Sequence, residues 1–220
     1  MKAVVKQVEF PAGRRILVIS DIHGNLPWFQ ALLAKAGFSR EDILVLVGDL
    51  VEKGRDSLAT LRYIMELSAT HTVYALCGNC DNLAVDFIYG NGELGRDFYR
   101  FYLSVWGERA LILQMAAEAG MEVRGPGDLP GLRMLLLERF RSELEFLRSL
   151  PTILESEHLV FVHGGVRSYA HMEELDAWQC MKNDDFLGQG RVFPKYCVVG
   201  HWPVALYRGD RLCSNPIIER

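Results

Sequence analysis

Three short apolar runs, each followed by a polar turn, constrain the fold of this 220-residue chain most strongly. The runs cover residues 15–20, 43–47 and 72–76, contain β-branched residues and are bounded by polar ones. Such runs predict strands that are buried on both faces. Apolar periodicity predicts helices over residues 26–36 and 56–68, after the first two turns. Repeated strand–turn–helix units predict an α/β protein.

The pattern changes to helical between residues 93 and 150. Two helical stretches, residues 96–119 and 132–150, flank a breaker-rich loop at 125–131. The aromatic side chains of the first stretch are interpreted as packing in the core of a helical insert. They are Phe98, Tyr99, Phe101, Tyr102 and Trp106. The chain is therefore predicted to form one domain, residues 1–220, with an insert at about 93–150.

Strand character returns after the helical stretch. Residues 151–155 and 159–162 predict a hairpin around Ser156-Glu157, and residues 196–199 form another apolar run. These segments add at least three strands to the predicted fold.

Composition excludes several classes of protein. The net charge is −4, which argues against a nucleic-acid or anionic membrane partner. No run approaches the ~18 apolar residues of a membrane span, and the N-terminus lacks the apolar region of a signal peptide. We therefore expect a cytoplasmic protein with no nucleic-acid or membrane partner.

The five cysteines are odd in number and scattered, which predicts reduced thiols. Cys77 and Cys80 form a C-G-N-C motif, which is typical of a redox pair or of half a zinc knuckle. The chain supplies no second pair at knuckle spacing. A redox role would require the motif to open a helix after a strand in a thioredoxin-like fold, and it stays a minor alternative.

Six side chains suited to bind metals follow the predicted strands. They are Asp21 and His23, then Asp49, Asn79, His163 and His201. Each of them alone is more often an ordinary loop residue. Ligands in open α/β sheets bind beyond the carboxyl ends of the strands, so we expect the six to meet at one edge of one sheet.

The motifs in this order resemble the calcineurin-like metallophosphoesterases, and within them the phosphoprotein-phosphatase branch. They are D-I-H-G, G-D-L-V-E-K-G, G-N-C-D, H-G-G and G-H-W-P, and they cover residues 21–203. L-E-F-L-R-S-L-P before the hairpin is similar to the same branch. The resemblance implies a β-sandwich flanked by helices.

The resemblance also implies two divalent metal ions, Mn, Fe or Zn. Asp21 and His23 would hold the first ion, Asp49 would bridge both, and the second would bind Asn79, His163 and His201. Two such ions bind a phosphate and lower the pKa of a water between them. Mixed oxygen and nitrogen ligands do not select sharply among these metals.

Several positions depart from the family pattern. Lys53 stands where the branch has a phosphate-binding Arg, and a lysine keeps the charge without the bidentate geometry. Cys80 takes the place of the histidine that protonates the leaving group, and Asp81 would be the carboxylate that orients that residue. Cys77 stands where the branch often carries an Arg. The family continues beyond G-H-x-P into a further strand, so this sheet is expected to lack one strand.

The sequence thus predicts a phosphoesterase that hydrolyses phosphomonoesters, with a phosphorylated protein or small molecule as its substrate. Dinucleoside polyphosphate hydrolysis is a close alternative. General acid catalysis contributes about 10²–10⁴-fold, and a thiol is a poor substitute for imidazole. A weakened enzyme, or a regulatory protein that only binds metal and phosphate, is therefore the other alternative.

Overall fold

The computed structural model describes residues 1–90, 104–189, 193–213 and 215–218. Its strands, in chain order, are β1 (Val5–Gln7), β2 (Ile16–Ile19), β3 (Ile43–Leu46), β4 (Thr72–Ala75), β5 (Ile153–Glu155), β6 (Leu159–Val162) and β7 (Tyr196–Val198). They form two sheets, with orders β2-β3-β4 and β1-β5-β6-β7. The α/β prediction is confirmed.

The first sheet is parallel and contains the three strands predicted from the apolar runs. Ile16 pairs with Ile43, and Leu46 pairs with Ala75. The prediction that all three strands are buried on both faces holds only for β3. β2 and β4 are the sheet edges, so β2 leaves Val18 42% exposed.

The second sheet is mixed. β5 and β6 form the predicted antiparallel hairpin, in which the Ser156 N–H donates to the Leu159 carbonyl at 2.8 Å. β1 is parallel to β5, and β7 is parallel to β6. The expectation of a single sheet for all the ligand turns is wrong, because the hairpin pairs with β1 and β7 rather than with the first sheet.

The two sheets face each other across a shared apolar layer. Ile43 and Val45 on one face of β3 lie in a buried cluster with Leu154 and Phe161 of the second sheet. Leu44, on the opposite face of β3, lies in the cluster formed with the helices. Alternate residues of a strand point to opposite faces, so β3 serves both layers. This is the sandwich that the resemblance implied.

Each of the following helices except the last contributes buried residues to the cluster that contains Leu44 of β3. They are α1 (Leu26–Ala36), α2 (Ser57–Thr70), α3 (Asp81–Tyr89), α4 (Leu111–Glu118), α5 (Leu129–Arg139), α6 (Arg141–Ser149), α7 (Ala177–Met181) and α8 (Val204–Arg208). α1 has the predicted bounds. Pro27 lies in its first turn and Gly37 ends it with a left-handed φ of 60°.

The helical segment in the structure differs in detail from the one that the sequence predicted. Residues 96–103 of the first stretch, with four of its aromatics, lie outside the described residues, whereas Trp106 packs against the main core. The second stretch is two helices, because Phe140 leaves helical geometry with φ −123° and ψ 31°. α5 also begins three residues early, with Pro130 accommodated in its first turn. A single domain with an insert stays a prediction.

After β7 the described chain forms the short helix α8, and residues 199–213 and 215–218 contain no further strand. Across the parts of the chain that the structure describes, every helix falls short of the length and hydropathy of a bilayer span.

Candidate metal centre

Asp49 lies at the centre of the site, in the turn after β3. Its side chain is 2% exposed, and its Oδ1 accepts a hydrogen bond of 2.9 Å from the Cys80 N–H. This contact requires close approach of two backbones: a Cβ on Gly48 would lie 2.7 Å from the Gly78 nitrogen, and a Cβ on Gly78 would overlap Asp49. Glycine at these two positions therefore lets the turns after β3 and β4 meet.

Each carboxylate oxygen of Asp49 faces a different histidine. His163 Nε2 lies 3.3 Å from Oδ1, and His23 Nε2 lies 3.6 Å from Oδ2. The histidines follow strands of different sheets, so Asp49 lies between the two sheet edges. Asp49 groups with His163 and His201 on one side and with His23 and Cys80 on the other. This arrangement suits a carboxylate shared by two ions.

His163 is oriented for ligation through Nε2. The ring is fully buried, and Nδ1 lies 2.7 Å from the Val47 carbonyl oxygen. A carbonyl only accepts, so Nδ1 carries the proton. Nε2 has no hydrogen-bond partner, and the buried Oδ1 of Asn79 has none either. Buried unpartnered polar atoms are costly, and a cation would satisfy both. The residues present thus fit divalent metals.

Asp21 connects the turn after β2 to the turn after β7. Its Oδ2 accepts from the Ser20 hydroxyl at 2.6 Å and from the His201 N–H at 3.0 Å. Its Oδ1 lies 3.7 Å from His23 Nε2. The segments that carry the first and the last predicted ligands, 180 residues apart, are thereby held together.

Four predicted ligands have left-handed backbone conformations, which are unusual for residues other than glycine. The φ angles are 57° at Asp21, 48° at His23, 51° at Asp49 and 61° at His201. Such conformations cost roughly 1–3 kcal/mol each and concentrate at functional sites. The surrounding hydrogen bonds hold them in place.

Burial and charge set the protonation of these groups. Burial lowers the pKa of His23 and of His201, which favours the neutral imidazole that binds metal. Burial acts the same way on His163, but the neighbouring Asp49 carboxylate raises its pKa. Burial opposes ionisation of Asp49, yet His163, His23 and the Cys80 N–H hold its pKa well below the usual range.

Two lysines lie at the mouth of the site. Lys53 Nζ is 3.1 Å from His23 Nε2, which places the predicted phosphate-binding lysine beside the first histidine. Lys182 Nζ lies 3.4 Å from His201 Nε2, and Asp184 Oδ1 lies 2.7 Å from the same nitrogen. Lys182 and Asp184 also pair with each other. No motif marks these two residues, and sequence analysis missed them.

Asp81 contacts backbone rather than a neighbouring side chain in the described structure. Its Oδ1 accepts from the Leu50 and Val51 N–H groups at 2.8 and 3.2 Å, and its Oδ2 accepts from Gly78 at 2.8 Å. Burial, together with the charge of Asp49, raises the Asp81 pKa to about 7. These bonds hold the turn that carries Asp49. Its predicted role in orienting residue 80 stays a prediction.

Cys80 is buried, with Sγ near the Asp49 and His23 ligand atoms. Burial, with the charge of Asp49, raises its pKa. The C-G-N-C motif does lie between β4 and the first residue of α3, but Cys77 and Cys80 are both free thiols. The structure therefore agrees with the expected reduced cysteines.

The match to known proteins agrees with this geometry. A family model for calcineurin-like phosphoesterases matches residues 14–214, and the chain belongs to that family. It is 27% identical over 188 residues to a symmetrical bis(5'-nucleosyl)-tetraphosphatase of Hamiltonella defensa, covering 84% of this chain and 55% of that protein. It is 33% identical over 84 residues to serine/threonine-protein phosphatase 1 of Salmonella typhimurium, covering 38% and 37%. The chain thus spans about half or less of these relatives' length.

Solved structures share the fold. One is a proposed diadenosine tetraphosphatase, with a TM-score of 0.57 and 20% identity over 93% of this chain and 81% of that one. Another is a cold-active protein-tyrosine phosphatase of a Shewanella species, with a TM-score of 0.50 and 18% identity over 79% and 47%. The family implies phosphoester hydrolysis with divalent metal ions.

Proposed function

We propose that the protein is a two-metal phosphoesterase that hydrolyses phosphomonoesters, phosphoproteins among them. The observation that carries this proposal is the position of Asp49. It is buried, each of its oxygens faces a different histidine, and the unpartnered Nε2 of His163 lies 3.3 Å away. A shared carboxylate between two sets of ligands is the feature that a two-metal phosphoester site requires.

The metal ligands are assigned accordingly. Asp21 and His23 would hold one ion, Asn79, His163 and His201 would hold the other, and Asp49 would serve both. Oxygen and imidazole donors suit manganese, iron or zinc. Such a pair of ions, when bound, polarises a phosphoryl group and generates a nucleophile from water.

The chain's own residues would bind and orient the phosphate. Lys53 lies beside His23 and Lys182 beside His201, so cationic groups flank the centre on two sides. Cations placed there neutralise the charge of phosphate oxygens. Position 80 lacks an imidazole, so we expect little help for a poor leaving group.

Steady-state kinetics on the metal-loaded protein test the proposal. An aryl phosphomonoester leaves as a stable phenolate and hardly needs a proton, whereas a phosphoserine peptide does. We expect hydrolysis of both, with kcat/KM much higher for the aryl ester. Metal binding and phosphate binding without turnover of either substrate would instead support the regulatory alternative.

Dinucleoside polyphosphate hydrolysis is the second candidate. The relative that aligns with 84% of this chain carries the name of a symmetrical tetraphosphatase. Lysines on two sides of the centre would also suit a longer phosphate chain. Chromatography after incubation with diadenosine tetraphosphate tests it: symmetrical cleavage gives only adenosine diphosphate. A kcat/KM above that for the aryl ester would make this the better assignment.

A further inference from the structure

Cys80 lies where a metal ligand would lie. Its side chain is 1% exposed, and its Sγ, a His23 ring nitrogen and an Asp49 carboxylate oxygen all lie within 4.8 Å of one another. We propose that Cys80 is a further protein ligand of the ion that His23 and Asp49 would hold, and that it binds this ion as a thiolate. The proposal rests on the two-metal centre described above.

The spacing fits coordination of one ion. Zinc lies about 2.3 Å from a thiolate sulfur and about 2.0–2.1 Å from an imidazole nitrogen, so ligand atoms on one ion lie within about 4.5 Å of one another. His23 Nε2 and Asp49 Oδ2 are already 3.6 Å apart. The sulfur lies within 4.8 Å of both atoms, close to the spacing that one shared ion requires.

The backbone ties Cys80 to the shared carboxylate. The Cys80 N–H donates a hydrogen bond of 2.9 Å to Asp49 Oδ1. On metal binding the S–H bond breaks, the proton passes to solvent, and the sulfur lone pair forms the bond to the ion. The buried and unpartnered Nε2 of His163, which lies 3.3 Å from Asp49 Oδ1, indicates that the groups around Asp49 suit a cation.

Asn79 contributes to the same arrangement. Its Nδ2 donates to the Cys80 Sγ at 3.5 Å, while its Oδ1 stays buried and unpartnered. The sulfur therefore accepts a hydrogen bond, as the sulfur of a metal-bound thiolate does. The amide can support the sulfur through its nitrogen while offering its oxygen to the other ion.

A thiolate ligand changes both the metal preference and the chemistry. Thiolates favour zinc, cobalt and iron over magnesium and manganese. A cysteine bound to metal does not carry the proton needed by a leaving group. As a ligand, Cys80 would therefore not act as the general acid that the resemblance implied. It would instead make the site bind zinc, cobalt or iron in preference to manganese or magnesium.

Cys77 is a matched control. It is also buried, and it precedes Cys80 by three residues. Its Sγ donates to the Gly78 carbonyl at 3.5 Å, and it belongs to none of the ligand groups found among the described residues. Replacing either cysteine with serine removes one buried thiol from the same turn.

Titration of metal-free protein with Co²⁺ tests the proposal. Sulfur bound to Co²⁺ gives a charge-transfer absorption in the near ultraviolet. We expect this absorption in the wild type and in Cys77→Ser, and its loss in Cys80→Ser. Cys80→Ser should weaken Co²⁺ and Zn²⁺ binding by about tenfold or more, with a much smaller change for Mn²⁺.

Two results would overturn the proposal. One is a failed cobalt titration, in which the wild type shows no charge-transfer absorption or Cys80→Ser retains it. The other is an X-ray absorption spectrum of the zinc-loaded wild type that shows no sulfur about 2.3 Å from the zinc. This measurement requires no variant. Hydrolysis without sulfur ligation would reject only the role of Cys80. Sulfur ligation without hydrolysis of any phosphoester would reject the proposed function and leave the ligand assignment standing.

Discussion

The two ends of the parallel sheet β2-β3-β4 differ in how completely their polar groups are paired. At the amino end, Arg14 and Arg15 precede β2 and bind the segments around it. At the carboxyl end, Asp49 and His163 meet in a site with unpartnered buried atoms. The polar groups at the amino end are thus hydrogen-bonded, and we call this end the satisfied end. The carboxyl end retains buried polar atoms without hydrogen-bond partners.

The amino end is held by dense hydrogen bonding. Arg14 donates to the carbonyls of Arg40, Glu41 and Asp42 at 2.7–3.0 Å and to the Thr72 hydroxyl at 3.2 Å. These bonds join the starts of all three strands. A planar guanidinium is suited to such multiple donation.

Arg15 and Asp42 form a bidentate pair, with both N–O distances at 2.8 Å. Arg15 also donates to the carbonyls of Ala36 and Gly37 at 3.0 Å, which satisfies the C-terminus of α1. Asp42 further accepts from the Ser39 N–H at 2.8 Å.

Asp49→Asn should have the largest effect, because this carboxylate would serve both ions. We expect loss of both metals and a fall in kcat/KM of at least about 100-fold, beyond the usual effect of a change outside the ligand shell. Elemental analysis and kinetics measure this, and circular dichroism reports the fold. Asp42→Asn, the same change at the satisfied end, is the control. Unchanged metal content in Asp49→Asn would reject the shared ligand.

Asp184→Ala should have the next largest effect. Asp184 Oδ1 lies 2.7 Å from His201 Nε2, so it would orient that ring for ligation through Nδ1. Removing such a partner typically weakens metal binding by about 10–100-fold. Competition with a chelator measures the affinity, and Asp184→Glu should restore part of it. Asp185→Ala is the neighbouring control, and equal affinities in both alanine variants would contradict this role.

Lys53→Ala should have a moderate effect. The lost charged contact should weaken inhibition by phosphate or vanadate about tenfold, whereas Lys53→Arg should keep or strengthen it. Lys35→Ala, in the last turn of α1, is the control at the satisfied end. Equal inhibition constants in all these proteins would make Lys53 a solvated loop residue.

Asp42→Asn should change stability without changing catalysis. Arg15 holds the Asp42 pKa well below its usual range, against burial and with help from Ser39. The ionised carboxylate therefore stabilises the fold above the unfolded-state pKa of about 3.9, and this contribution is lost as the pH falls through the lower folded-state value. We expect a Tm lower by roughly 2–8 °C at pH 7 and a smaller difference below about pH 4.

Thermal melts across this pH range, together with kcat/KM at neutral pH, check the expectation for Asp42. A Tm difference that grows as the pH falls would contradict it. A large loss of activity in the folded variant would show that the two ends are coupled more strongly than their contacts indicate.

Much of the fold followed from local patterns. The apolar runs predicted β2, β3 and β4, and the periodicity over residues 26–36 predicted α1 with its observed bounds. β1 was missed, because Val5–Gln7 is short, largely exposed and mostly polar. The break at Phe140 was missed as well, since nothing in the local sequence interrupts the helical pattern there.

The candidate site was only partly predictable. The six ligand positions were predicted because polar residues at strand ends stand out against apolar runs. The structure brings their turns together around Asp49, and their role as metal ligands stays a prediction. Lys182 and Asp184 were missed because they precede His201 by 19 and 17 residues and carry no motif. Their proximity to His201 depends on how the segment after β6 folds back.

The sequence by itself determined the α/β class, the family and the polar residues at the strand ends, because strand burial, turn chemistry and motif order are local properties of the chain. Only the tertiary structure decided that the predicted ligands come from two facing sheets, that the His201 N–H bonds to Asp21, and that the Cys80 sulfur lies beside His23 and Asp49. These distances join residues far apart in the chain. They depend on how the sheets and turns pack, which no short stretch of sequence specifies.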